Sequence, residues 1–146
     1  MAALPERERG RDPRVTEFAA DLWQRAKDAL RLARHDLPVS ADAAASWSYY
    51  AAFYAVSAFF ALDGRSFHKH TALQAAVHRD LVRQGLWDPE LGEAYDRLVQ
   101  SRNVGHYGGA RHVTPEEAAR AIQMAADILR AVAELRPQEF TGLDRI

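Results

Sequence analysis

Residues from about Ser40 to Leu62 read as a helix that is apolar on two sides, and this feature constrains the fold more than any other. Trp47, Tyr50, Tyr54, Ala58 and Ala61 recur at helical spacing along one stripe. Tyr49, Phe53, Val56 and Phe60 form a second stripe nearly opposite. A helix that hides only one face can lie on a surface, whereas one with two apolar faces must be wrapped by other helices or shared between its bundle and a partner chain. The segment ends at Gly64, a residue suited to the left-handed position after a helix C-terminus.

The flanking segments supply the wrapping. Asp12-Pro13 reads as an N-cap followed by proline at the first helical position, opening a helix with Val15, Phe18, Ala19, Leu22, Ala26, Ala29, Leu30 and Ala33 on its apolar stripe. Pro38 closes the linker that follows. A third helix spans roughly Thr71 to Gln84 with Leu73, Ala76, Val77 and Leu81, stopping at Gly85. Asp88-Pro89 repeats the cap-plus-proline start for a fourth, which unravels at Gly108-Gly109. Thr114-Pro115-Glu116-Glu117 is a capping box that opens a fifth, running through Ala118, Ala121, Ile122, Ala125, Leu129 and Val132 to Pro137. No run of β-branched residues alternates as a strand would. The expected fold is therefore an all-α antiparallel bundle of four to five helices over residues 13–136, with a disordered arm at 1–12 and a flexible tail at 137–146.

At 146 residues and 48% hydrophobic content, one domain with a real core is expected. The 19 basic and 20 acidic residues nearly cancel, so no global field draws the chain to nucleic acid or to an anionic membrane. Any phosphate binding must be local. The absence of cysteine removes disulfides, thiolate metal sites and cysteine nucleophiles together, which fits a reducing cytoplasm. Neither a signal peptide nor an unbroken apolar run of membrane-spanning length is evident, and a cytoplasmic location is expected.

Chemistry enters where the fourth helix should continue its core-facing seam. Leu91, Tyr95 and Leu98 are followed at the same spacing by Arg102 and then His106, within Ser101-Arg102-Asn103-Val104-Gly105-His106-Tyr107-Gly108-Gly109. Burying a guanidinium or imidazole without partners costs ~1–3 kcal/mol or more, so these groups call for a partner, a wet cleft or a ligand. On an unbroken helix Arg102 and His106 lie one turn apart on one face, within reach of a single phosphate. Gly105 and the Gly108-Gly109 pair suit close approach of backbone to a ligand.

Several separated signals agree in order and spacing. They are the helix Ala45-Ser46-Trp47-Ser48-Tyr49-Tyr50-Ala51-Ala52-Phe53-Tyr54-Ala55, then His70-Thr71, Gly85-Leu86, Arg102-x-x-x-His106-Tyr107-Gly108 and Glu116-Glu117-Ala118. Over about residues 15 to 135 this pattern resembles the HEPN superfamily of small prokaryotic helical domains, in particular the branch whose second helix reads S-x-x-Y-Y-A-A-F-Y-A. The resemblance implies a homodimer in which motif residues of both protomers meet in one cleft. Catalytic members are similar to metal-independent endoribonucleases of toxin–antitoxin and defence systems, with an arginine, a polar residue after it, and a histidine four to six intervening residues later. Arg102 and Asn103 match the first two, and His106 follows after three. The resemblance also implies partnership with a nucleotidyltransferase, which in some members modifies a tyrosine beside the motif histidine, here Tyr107.

Two functional classes follow. In the first, the chain is an RNA-cleaving enzyme in which His106 is general base or acid, Arg102 stabilises charge at phosphorus and Asn103 positions one of them, with no metal or other cofactor. In the second it is a catalytically inactive dimeric module that works with a nucleotidyltransferase or another effector. Plain structural roles compete with the first class at each residue. Arg102 suits a salt bridge to a neighbouring helix, His106 a helix C-terminus, Asn103 a helix-end hydrogen bond and Tyr107 packing against the bundle. His68, His70 and His78 read as helix-start or surface histidines rather than metal ligands, because no cysteine or carboxylate set joins them.

Overall fold

Three local caps fix where the long helices begin. The Asp12 side chain accepts from the backbone N–H of Arg14, Ser40 from Ala43, and Thr114 from Glu117, whose own carboxylate reaches back to the Thr114 N–H. In the computed structural model, which describes residues 11–107 and 109–146 without the side chains of His106 and Tyr107, these caps open three of the five helices. The elements are α1 (Pro13–Asp36), α2 (Ala41–Ala61), α3 (His70–Ala76), α4 (Pro89–Tyr107) and α5 (Pro115–Leu135), with a 3-10 turn at Leu143–Arg145. The fold is all-helical, as expected. Residues 1–10, most of the expected arm, lie outside the described set.

The central helix is α2, which packs against α1, α4 and α5. Its Tyr49, Val56 and Phe60 are buried with Leu30 of α1, Tyr95 and Leu98 of α4, and Ile128 and Leu129 of α5. Alanines at 26, 29 and 33 of α1 and at 44, 45, 51, 52 and 55 of α2 are also buried, which lets backbones approach where larger side chains would hold them apart. Burying a leucine or phenylalanine is worth ~1.5–3 kcal/mol, so this seam supplies much of the fold's driving force. The wrapping is incomplete, however. Ser46, Trp47, Tyr50, Phe53, Tyr54 and Ser57 form a half-buried stripe along α2, so one of its two aromatic faces is partly open.

Two expectations change on the structure. The third helix is not uniform: after Ala76 it widens into a π-helix over Val77–Val82, with His78 Nε2 donating to Asp96 Oδ1 of α4 at 2.9 Å. The expected flexible tail is instead packed against α1. Phe140 is 2% exposed with its ring 5.0 Å from that of Trp23, and the Trp23 indole N–H donates to the Thr141 carbonyl at 2.8 Å. A lone aromatic in a polar segment carries no periodicity, which is why this contact has no sequence signature. No described helix is long and apolar enough to cross a membrane.

Candidate functional site

The site is built where α4 crosses α2. Gly105 makes the crossing possible, because a Cβ there would stand 3.1 Å from the Asp42 carbonyl oxygen and 3.5 Å from Ser46 Oγ. The expected glycine effect is thus real, but the backbone approached at Gly105 is that of α2. One turn earlier, Arg102 is half-buried against the aromatic face of α2. Its Nη2 donates to the Tyr50 hydroxyl at 3.1 Å, and its guanidinium carbon lies 5.6 Å from the ring centroids of both Tyr49 and Tyr50. Cation–π contact of this kind is worth ~0.5–2 kcal/mol, and it holds the planar fork without neutralising its charge.

A histidine not singled out for this site by the sequence sits beside the arginine. His70, the first residue of α3, stacks on Phe53 with ring centroids 4.6 Å apart, and its Nδ1 is hydrogen-bonded to the Tyr49 hydroxyl. Burial, with Arg102 nearby, pushes the His70 imidazole below its ordinary value, so it is neutral at physiological pH. Burial also pushes the Tyr49 phenol up to about 12. Tyr95 of α4, buried edge-on to Tyr49 with ring centroids 6.1 Å apart, closes the back of the cluster. The reading of His70 as a helix-start residue is correct as to position and misses this setting. Its signal was the pairing of His70-Thr71 with the aromatic helix.

The sequence-predicted site residues are not all brought together. Arg102 faces α2, whereas Asn103, about 100° further round the same helix, is exposed and lines an open groove of about 760 Å³ between α4 and α5 with Arg97, Arg111 and Arg120. The side chains of His106 and Tyr107 lie outside the described residues, although both belong to α4 by backbone. His78 pairs with Asp96, which also accepts from Gln74 at 2.7 Å, so His70 and His78 are directed to different partners. Below the motif, Asp42 at the start of α2 accepts from the Val113 N–H and from His112 Nδ1, each at 2.7 Å, tying the α4–α5 connection to α2.

The arrangement combines a fixed cation with a neutral imidazole at the partly open face of α2. That pairing suits a phosphodiester, whose charge one group would balance and whose proton traffic the other would carry.

A family model for the HEPN domain matches residues 19–135 of this chain. A UPF0332 protein of Thermotoga maritima is 38% identical over 87 residues, covering 60% of this chain and 66% of that protein, so less than two thirds of the relative is matched. The crystal structure of TT1696 from Thermus thermophilus superposes with a TM-score of 0.67 and 25% identity, covering 80% of this chain and 96% of its own.

Proposed function

Because the chain belongs to the HEPN domain family, we propose that it is a metal-independent endoribonuclease of a toxin–antitoxin or defence system, acting as a cytoplasmic homodimer. The observation that carries the proposal is Arg102, held half-buried by Tyr49 and Tyr50 at the edge of an incompletely covered aromatic face. A two-fold contact through Trp47, Tyr50, Phe53 and Tyr54 covers that face and brings the two copies of Arg102 toward one cleft. Arg102 balances the charge that grows on the non-bridging oxygens as the 2′-oxygen attacks phosphorus. His106, one turn on, is a general base or acid, and Asn103 contacts RNA from the α4–α5 groove.

The test is incubation of the purified chain with labelled single-stranded RNA in excess EDTA. The expected result is cleavage leaving 2′,3′-cyclic phosphate ends, with His106→Ala nearly inactive and unchanged in helical content. Light scattering on the same samples should give twice the 16.4 kDa chain mass, and Tyr54→Glu should return the protein to monomer. Intact RNA in every reaction contradicts the enzyme reading.

A second reading is favoured by the same contacts seen differently. Arg102 already has tyrosine partners, as a residue with a purely structural task would. The chain is then an inactive dimeric module that presents its surface to a nucleotidyltransferase or other effector, with Tyr107 as the modified residue. Stoichiometric co-purification of such an enzyme, with no RNA cleavage, supports this reading.

A further inference from the structure

The ribonuclease reading leaves one step unassigned. Cleavage through a 2′-hydroxyl needs a group to take a proton from the attacking oxygen and another to give one to the leaving 5′-oxygen. The α4 motif supplies one histidine per protomer, whereas the described site holds an imidazole from a different element.

We infer that His70 is the general base, taking the 2′-hydroxyl proton on Nε2 while Arg102 holds the same phosphodiester. The inference rests on the ribonuclease reading above. Three features of the cluster support it. The ring is clamped by Phe53 at 4.6 Å and Tyr49 at 5.6 Å between centroids, so its edge rather than its face is presented outward. Its Nδ1 is engaged by the Tyr49 hydroxyl, which leaves Nε2 as the working nitrogen. A neutral imidazole that is basic at Nε2 carries its proton on Nδ1, and a phenol oxygen accepts from that N–H both before and after Nε2 is protonated, so the contact survives the reaction.

The charged and titratable groups facing this imidazole are Arg102 from α4 and Tyr49 from α2, with Tyr50 of α2 edge-on to it. None is a carboxylate. A carboxylate partner would favour the protonated ring, whereas the guanidinium and burial favour the neutral form a base requires.

The step balances without a further reactant. The 2′-hydroxyl proton passes to His70 Nε2 as the O2′–P bond forms. The P–O5′ bond then breaks, and the leaving oxygen takes its proton from protonated His106. The products are a 2′,3′-cyclic phosphate and a 5′-hydroxyl, and solvent restores both imidazoles. His106 thereby becomes the acid.

The deciding experiment is the pH dependence of kcat/KM for wild type, His70→Gln, Tyr49→Phe and His106→Ala, each checked for helical content and dimer mass. Wild type should give a bell. His70→Gln should fall by ~10²–10⁴-fold and lose the acidic limb, which reports the base. His106→Ala should instead lose the alkaline limb. Tyr49→Phe, which removes only the hydroxyl, should keep both limbs, with the acidic one displaced. A folded His70→Gln protein with both limbs intact overturns the assignment and leaves the ribonuclease reading standing. Wild type that cuts no RNA overturns both.

Discussion

Gly105 of α4 lies so close to Asp42 of α2 that a Cβ would stand 3.1 Å from the Asp42 carbonyl oxygen. Two effects compete in Gly105→Ala. Alanine gains ~1 kcal/mol of helix propensity, while forcing a methyl against main chain costs ~1–3 kcal/mol. Backbone in the first turn of a capped helix gives way poorly, so the clash wins. Gly105→Ala should lower the thermal midpoint by a few degrees in a circular-dichroism melt, and an unchanged or raised midpoint contradicts the close crossing.

Phe140 on Trp23 gives the second prediction. Phe140→Ala should cost ~3–5 kcal/mol, as removal of a buried aromatic does, because its ring is 2% exposed. Urea denaturation measures this directly. A change within about 0.5 kcal/mol would mean that the C-terminal segment is not packed as described.

Asp42 makes stability depend on acid. The Val113 N–H, and after it His112, hold this carboxyl below its ordinary 3.8. A carboxyl with a depressed folded value contributes stability that is present above the unfolded value and is lost as pH falls through the folded one. His112 is 71% exposed and its share is screened, so the backbone hydrogen bond dominates. Asp42→Ala should therefore cost ~1–3 kcal/mol at pH 7 in urea denaturation, with the gap from wild type closing below about pH 4. A gap independent of pH contradicts the assignment.

How legible these features were depends on how local they are. Asp12-Pro13 and Thr114-Pro115 announced their helices because a cap involves residues two or three apart. The two stripes of α2 were readable for the same reason, but which stripe stays open depends on where the other helices stop. The setting of His70 depends on Tyr49 and Phe53 from another helix, so no spacing within α3 encodes it. The opposite outlook of Asn103 was available from the helix period alone, since adjacent residues cannot share a face.

The central claim is that Arg102 stabilises charge at phosphorus, and single-turnover cleavage of RNA in EDTA by wild type, Arg102→Lys and Arg102→Ala tests it most directly. Lysine keeps the charge but loses the planar fork and the paired contact to Tyr50. The account predicts that Arg102→Ala loses ~10²-fold or more in rate at saturating RNA, that Arg102→Lys falls between, and that both remain folded dimers. A folded Arg102→Ala dimer that cuts RNA at the wild-type rate would contradict it.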